Sequence, residues 1–196
     1  MPLVLACSLL GRCLAWTPIP LLKVLVAILG WLIIKVPIRR NRNMRSNLHH
    51  AFPEKSDVWR KRVAHLTSER LIEMAVYSLM SPYLSKHWYE RHFEMASDVR
   101  AAFREAVGSD RGGVILMPHV CLNEMMTSSP TVLEEIAGQP IIYRPNDQPA
   151  FDRWLKRTRE RWGMKLLSRK DGLREVSGAV RSGKLLTIVF DQNSGK

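Results

Sequence analysis

The sequence predicts an α/β protein in which an N-terminal membrane-associated helix and a helical region precede a mainly parallel sheet flanked by helices. Three observations support this fold class. A short apolar segment lies near the N-terminus, a long stretch with helical periodicity follows residue 56, and after residue 112 short apolar runs alternate with helical segments. We divide the 196 residues into an N-terminal membrane-associating segment, 1–45, and an α/β domain, 46–196.

The N-terminal apolar segment reads LLKVLVAILGWLIIKV, from Leu21 to Val36, and Pro18 and Pro20 mark its start. Its uncharged core is shorter than the about 20 residues that a spanning helix needs. Basic residues follow it directly, which favours the cytoplasmic side and anionic lipid. We therefore predict one short helix that enters or lies in the cytoplasmic leaflet. A helix buried in the protein core is the alternative, whereas a signal peptide is disfavoured because the first charge comes only at Arg12.

The composition indicates a basic, folded protein. The formal charge is +12, from 30 Lys and Arg against 18 Asp and Glu, so the surface should attract polyanions such as nucleic acid, anionic lipid headgroups or an acidic protein. The three cysteines, Cys7, Cys13 and Cys121, are too few and too irregularly spaced for a disulfide framework, and no cysteine or histidine cluster suggests a metal site.

The middle of the chain predicts a long helix that begins after Phe52-Pro53, with Ser56 as its N-cap. Beyond Leu71 the pattern is apolar all round, which indicates burial on most sides. The predicted inner stripe consists of Trp59, Val63, Leu66, Leu71 and Met74.

The second half predicts strands at Gly113–Met117, Pro140–Tyr143, 165–167 and 185–190, with helices at 149–162 and 172–182 between the later ones. The inner stripe of the first of these helices is Phe151, Trp154, Leu155, Thr158 and Trp162. Helical crossovers imply parallel strands, and ligands bind at the carboxyl ends of such strands. Polar clusters follow three of them: His119 to Glu124, Arg144 to Asn146 and Asp191 to Asn193.

His119 and Glu124 form a His-x4-Glu pattern directly after the first strand. On a continuous helix these two side chains would not meet. With His119 at the strand end and Glu124 in the next turn, the chain can bring them together. A carboxylate bonded to one imidazole nitrogen fixes the tautomer and makes the other nitrogen a base for a hydroxyl proton. Cys121, two residues from His119, is the rival nucleophile, although a buried thiol is the favoured reading.

With these motifs in place, the sequence resembles the late lipid A biosynthesis acyltransferases, of lauroyl or myristoyl type, in the lysophospholipid acyltransferase superfamily. That family carries His-x4-Asp/Glu after a buried strand, a Tyr-Arg-Pro segment, an Arg-x-x-Gly stretch, a late Asp-Gln pair and an Arg-x-Asn-Leu…Phe-Pro region. The matching residues here are His119 to Glu124, Tyr143 to Asn146, Arg169 to Gly172, Asp191-Gln192, and Arg45 to Leu48 with Phe52-Pro53.

The resemblance implies a bacterial enzyme on the cytoplasmic face of the inner membrane. It implies transfer of a fatty acyl group from acyl-carrier protein, or from coenzyme A, to a hydroxyl of a membrane glycolipid, with no metal and no bound cofactor. His119 would act as general base, oriented by Glu124, with Asp191 as a second contact. Arg144 and Arg169 would bind acceptor phosphate or the developing oxyanion, and Gln192 belongs to the same substrate-binding set.

Two departures from the family pattern bear on these expectations. Leu122 and Asn123 stand where the family usually has Asn and an aromatic residue, which leaves the acyl-chain preference open. Family members also continue well beyond the Asp-Gln pair, so we expect this chain to be an N-terminal fragment.

Two other functions compete with this one. One is acyl transfer to a lysophospholipid, an ornithine-type lipid or a phosphoinositol lipid. The other is a basic, membrane-bound binding protein, although the basic residues are spread along the chain without an RNA- or DNA-reading motif.

Overall fold

The computed structural model describes residues 2–119, 123–170 and 173–190. Its N-terminal half is helical: α1 is Pro2–Trp16, α2 Ile19–Ile33, α3 Arg39–Ala51, α4 Asp57–Met80, α5 Lys86–His92 and α6 Ser97–Gly108. The second half contains β1 (Gly113–Met117), β2 (Pro140–Tyr143), α7 (Pro149–Glu160), β3 (Lys165–Ser168), α8 (Leu173–Arg181) and β4 (Leu185–Val189). Short 3-10 helices cover Ser81–Tyr83, Asn123–Thr131 and Glu134–Ile136.

The N-terminal region contains two helices where the sequence predicts one. Helix α2 begins after Pro18 with Pro20 in its first turn, as predicted, but ends at Ile33 rather than at Val36. Helix α1 was missed because its apolar sequence has no polar alternation and no capping residue to mark a helix. No helix in the described part of the chain combines the length and hydropathy that crossing a bilayer requires.

Helices α1 and α2 both pack against α4, and a glycine allows each close approach. A methyl group at Gly11 of α1 would lie 2.1 Å from the carbonyl oxygen of Leu79, well inside the contact distance of real Cβ atoms. A methyl group at Gly30 of α2 would lie 2.9 Å from Cα of Glu69. At both glycines the helix therefore lies against the backbone of α4, and neither position has space for a larger residue.

The start of α4 is confirmed, but part of its predicted inner stripe is wrong. The Ser56 hydroxyl accepts a hydrogen bond from the Trp59 amide at 3.2 Å, which caps the helix. Leu66 of the predicted stripe is 42% exposed, whereas Ala64 and Ser68 are buried. Small side chains face the neighbouring helices because those helices approach too closely for large ones. The apolar second half is buried as predicted, through Val76, Tyr77 and Met80.

The four strands form one parallel sheet in the order β1-β4-β2-β3. All four lie at the predicted positions, within one residue at each end. Gly113 pairs with Leu185 and Pro140 with Lys165, so the amino ends of the strands are aligned. The carboxyl ends consequently share one edge, and the predicted parallel arrangement is confirmed.

Two apolar clusters join the layers. The first lies between the N-terminal helices and contains Leu14, Leu22, Val76, Tyr77, Met80, Leu84 and Tyr89. The second lies beside the sheet and contains Leu133, Ile136, Ile141, Met164 and Leu166. The segment after α7 links the two clusters, because the Trp162 ring lies 5.8 Å from the Tyr89 ring of the first cluster and Met164 belongs to the second. The Arg161 guanidinium also donates to the Leu84 carbonyl oxygen at 3.0 Å. Helix α7 is thereby fixed relative to the helical layer.

Candidate active site

A cleft of about 470 Å³ opens at the carboxyl edge of the sheet. His119 lines it two residues after β1, Arg144 lines it directly after β2, and Arg169 lines it directly after β3. Glu124 reaches the same cleft from the 3-10 helix that follows β1. The structure thus brings together four of the six site residues that the sequence suggests.

The Glu124 carboxylate is held by Arg159, a residue of α7. Arg159 Nε donates to Oε1 at 2.5 Å and Nη2 donates to Oε2 at 2.8 Å, so the pair is bidentate. Both side chains are mostly buried, with exposed fractions of 14% for Glu124 and 22% for Arg159. The two bonds fix the orientation of the carboxylate group. Each oxygen keeps a second lone pair, so Glu124 can accept from an imidazole while it is bound to Arg159.

Sequence reasoning missed Arg159, although the helical period contained a signal for it. Arg159 lies eight residues after Phe151 and four after Leu155, which puts it on the predicted inner face of α7. A charged residue on an apolar inner stripe needs a partner, because an unpaired charge is costly to bury. The interruption of that stripe by an arginine is therefore what points to an ion pair at this site.

The turn that carries Arg144 is fixed by Asp152 from the first turn of α7. The Asp152 carboxylate accepts a hydrogen bond from the Asn146 amide at 2.8 Å and another from the Tyr143 hydroxyl at 3.4 Å. The Arg169 amide donates to the Tyr143 carbonyl oxygen at 3.0 Å. These bonds tie the ends of β2 and β3 together, so Arg144 and Arg169 begin from adjacent points on the cleft wall.

The cleft is electropositive. Among its described lining residues, three guanidinium groups, of Arg144, Arg159 and Arg169, stand against the one carboxylate of Glu124. Apolar side chains from the strands also line the wall: Met117, Ile141, Ile142, Leu166 and Val189. Such a site suits a ligand that combines a phosphate or other anion with an apolar group.

Three residues singled out by the sequence cannot be placed. Asp191 and Gln192, which follow β4, and Cys121, between His119 and Glu124, lie outside the described residues. Within the described part of the chain, no group of three or more His, Cys, Asp or Glu side chains is arranged to hold a metal ion.

Comparison with known proteins identifies the family of this chain. The family model for bacterial lipid A biosynthesis acyltransferases matches residues 3–196. The chain belongs to this family. The resemblance carried by the His-x4-Glu, Tyr-Arg-Pro and Asp-Gln segments is thereby confirmed at the level of the family.

The chain is also similar to the lipid A biosynthesis lauroyltransferase of Escherichia coli (strain K12). The two are 26% identical over 181 residues, which cover 91% of this chain and 56% of the relative. The chain therefore spans little more than half the length of that lauroyltransferase.

Proposed function

We propose that this lipid A biosynthesis acyltransferase family member, as a full-length protein, transfers a fatty acyl group to a hydroxyl of a membrane glycolipid such as a lipid A precursor. The donor is a thioester of acyl-carrier protein or of coenzyme A. The observation that carries the proposal is the cleft in which His119, the Glu124–Arg159 pair, Arg144 and Arg169 meet at the ends of three parallel strands.

In this mechanism His119 takes the proton of the acceptor hydroxyl as its oxygen attacks the thioester carbonyl carbon. The new carbon–oxygen bond gives a tetrahedral intermediate, which collapses as the carbon–sulfur bond breaks. The departing thiolate takes the proton from the imidazolium, so His119 returns neutral. Glu124, fixed by Arg159, orients the imidazole and stabilises its charged form, and Asp191 is a second candidate for that contact.

The two strand-end arginines act on the anionic groups of the reaction. Arg144 binds an acceptor phosphate or the oxyanion that develops on the carbonyl oxygen, and Arg169, next to it, acts in the same way. Gln192 completes this substrate-binding set. The net positive charge of the chain favours encounter with an acidic acyl-carrier protein and with phosphate-bearing lipids.

Location at the cytoplasmic face of the inner membrane is part of the proposal, and the exposed face of α2 supports it. Leu21, Val24, Ile28 and Trp31, spaced three or four residues apart, are each at least half exposed. Exposed apolar side chains on one helix face mark an interaction site. Arg39, Arg40 and Arg42 follow at the start of α3, and their positive charges would attract anionic headgroups.

The test is acyl transfer from acyl-carrier protein to a lipid A precursor by the full-length protein. We expect His119→Ala to lower kcat/KM by about 10²–10⁴-fold, because general-base catalysis contributes that much. His87→Ala is the matched control, since His87 is an exposed residue of α5 outside the cleft and should leave the rate unchanged. Circular dichroism and thermal unfolding verify that both variants fold.

Each result has a definite reading. Wild-type activity in His119→Ala would refute the mechanism, and loss of activity in Cys121→Ala instead would assign an acyl-enzyme route through the thiol. If folded wild-type protein transferred acyl groups to another phosphate-bearing lipid but not to a lipid A precursor, the acceptor assignment would be wrong and the chemistry right.

A further inference from the structure

A second cleft lies where the chain after α2 meets the second half of α3 and the first turns of α4. Its volume is about 370 Å³. Three apolar side chains, Ile34, Leu48 and Ala64, form its floor. Its rim carries basic groups from two different helices: Arg45 and His49 of α3, and Arg60, Lys61 and His65 of α4.

The charge of this cleft is positive. Three permanent cations, Arg45, Arg60 and Lys61, stand against the single carboxylate of Asp57 among the described residues that line it. Arg60 neutralises that carboxylate directly, with Nη2 donating to Asp57 Oδ1 at 2.7 Å. Hydrogen bonding to Arg60, and the nearby charges of Arg60, Lys61 and His49, hold the pKa of the Asp57 carboxyl below its usual range. The surplus positive charge therefore faces whatever occupies the cleft.

The cleft is built rigidly onto the end of α2. Asn41 Nδ2 donates to the carbonyl oxygens of Ile33 and Val36 at 2.6 and 2.8 Å, and Arg45 Nη2 donates to the carbonyl oxygen of Ile34 at 2.9 Å. The Arg45 guanidinium thus bonds the Ile34 carbonyl oxygen, and the Asn41 amide is a second donor to the Ile33 and Val36 oxygens, which also accept from the Val36 and Ile38 amides. These bonds fix α3 against α2, so the basic rim begins where the exposed apolar face of α2 ends.

The sequence that leads into α4 is strongly basic. The first Asp or Glu of the chain is Glu54, whereas seven basic residues precede it: Arg12, Lys23, Lys35, Arg39, Arg40, Arg42 and Arg45. A basic cleft with an apolar floor, at the end of a helix that exposes apolar side chains, fits an anionic headgroup whose hydrocarbon follows that helix. Nucleic acid fits less well, because the floor offers aliphatic side chains rather than aromatic ones for base stacking.

We propose that the α2–α3–α4 cleft binds the phosphate group of an anionic phospholipid, with Lys61 at the phosphate and the acyl chains along α2. This site is separate from the strand-end cleft that carries the proposed acyl transfer. The inference rests on the membrane location included in the proposed function. Lys61 is the residue to change, because its ammonium is exposed, while Arg45 and Arg60 also bond to backbone carbonyl oxygens.

The experiment compares Lys61→Glu with Arg62→Glu in the full-length protein, by co-sedimentation with vesicles. Arg62 is the matched control: it is the next residue of α4, it is exposed, and it does not line the cleft. The vesicles contain phosphatidylcholine alone or equal parts of phosphatidylcholine and phosphatidylglycerol. We expect Lys61→Glu to weaken binding to the anionic vesicles about tenfold, and at least three times as much as Arg62→Glu does, because two units of charge change inside the site. Equal losses in the two variants would show that diffuse surface charge does the binding and would overturn the proposal.

Two further measurements identify the source of the phosphate and distinguish this lipid site from the proposed acyl transfer. Glycerol 3-phosphate and inorganic phosphate are titrated against the wild type and against Lys61→Glu. If they bind as tightly as short-chain phosphatidylglycerol, with the same dependence on Lys61, the ligand is a soluble phosphate and the lipid assignment is wrong. The vesicle assay is repeated on His119→Ala, which cannot transfer acyl groups under the proposed mechanism. Retained lipid binding there, even if no acyl transfer were found in the wild type, would support this site independently of the reaction.

Discussion

The helical layer of α1, α2 and α4 and the strand-end cleft are built in opposite ways. In the layer, glycines at 11 and 30 let helices touch at backbone distance, and the adjoining core is almost entirely apolar. In the cleft, side chains from separate elements converge around an ion pair, Glu124 with Arg159, and open space remains. The layer is therefore sensitive to added volume, whereas the cleft is sensitive to changed charge. This contrast separates the residues that maintain the fold from those to which we assign roles in the proposed reaction.

The largest expected effect concerns charge in the cleft. We expect Glu124→Gln and Arg159→Gln each to lower kcat/KM by about 10²-fold or more, because each leaves the proposed base without a fixed carboxylate partner. The double variant should be little worse than either single one, since both changes break the same pair. Acyl-transfer kinetics of the full-length protein, with thermal unfolding alongside, measure this.

Arg153→Gln is the control for those two variants, because Arg153 is an exposed residue of α7 outside the cleft. A folded Arg159→Gln protein with the kinetics of the wild type would show that the ion pair serves stability alone. The contrast between the helical layer and the cleft would then not hold for Glu124 and Arg159.

The next effect concerns volume in the layer. Gly11→Ala places a methyl group 2.1 Å from the Leu79 carbonyl oxygen, a backbone atom that cannot move away alone. We expect a loss of about 3 kcal/mol in the free energy of unfolding, measured by denaturant titration. Gly178→Ala, inside α8, is the matched control because nothing lies within 4 Å of the added carbon. It should gain about 0.5–1 kcal/mol from helix propensity. Equal stabilities of the two variants would contradict the close packing of α1 on α4.

A smaller effect is expected where the two regions meet. The Tyr77 hydroxyl of α4 donates to Ser128 Oγ at 3.3 Å, and both residues are buried. Removal of this bond in Tyr77→Phe should cost about 1 kcal/mol, measured at neutral pH.

Tyr77 also makes a pH-dependent contribution. Burial raises the pKa of the Tyr77 phenol far above its usual value, so the folded protein keeps the proton that the unfolded chain loses near pH 10. The stabilisation is complete below that pH and is lost as the pH rises above it. We expect the wild type to lose about 1.4 kcal/mol per pH unit more than Tyr77→Phe above about pH 10. If the free energy of unfolding fell equally steeply with pH in the wild type and in Tyr77→Phe, the Tyr77 phenol would not be buried.

The smallest effect concerns an exposed carboxyl. The lowered pKa of Asp57, caused first by its hydrogen bond to Arg60, gives a contribution that is present above the ordinary aspartate pKa of about 3.9 and lost as the pH falls below it. Asp57→Asn should therefore lower the stability slightly in the neutral range, because the pair is exposed, and the difference from the wild type should disappear as the pH falls below the aspartate pKa. A large loss at neutral pH would mean that this pair has a structural role that its exposure does not suggest.

Local sequence signals predicted much of this fold. Prolines at 18 and 20 mark the start of α2, Ser56 caps α4, and apolar runs give all four strands. These features depend on a few neighbouring residues, so one sequence suffices to find them. The inner face of α4 was mispredicted because packing distance, and not the size of its side chains, decides which residues are buried.

The strand-end site was predictable in part for the same reason. His119, Arg144 and Arg169 follow strands directly, so their convergence follows from parallel topology. The partnership of Glu124 with Arg159 joins residues 35 positions apart, which no local pattern encodes. The proposed division of the chain at residue 45 and the catalytic and binding roles of the site residues stay predictions.

The position of β4 has a consequence for the order in which the molecule is assembled. It is the last strand of the described residues, yet it lies between β1 and β2, and Gly113 of β1 pairs with Leu185 of β4. On the ribosome, β1 therefore emerges long before the strand that pairs with it, and closure of so long a loop is slow even where it costs little free energy. His119 after β1 and Arg144 after β2 are therefore brought together by a strand that is synthesised after both. A nascent chain that stops before residue 185 would carry these two site residues and still lack the strand that joins β1 to β2, so the proposed acyl transfer has to wait until synthesis has passed β4.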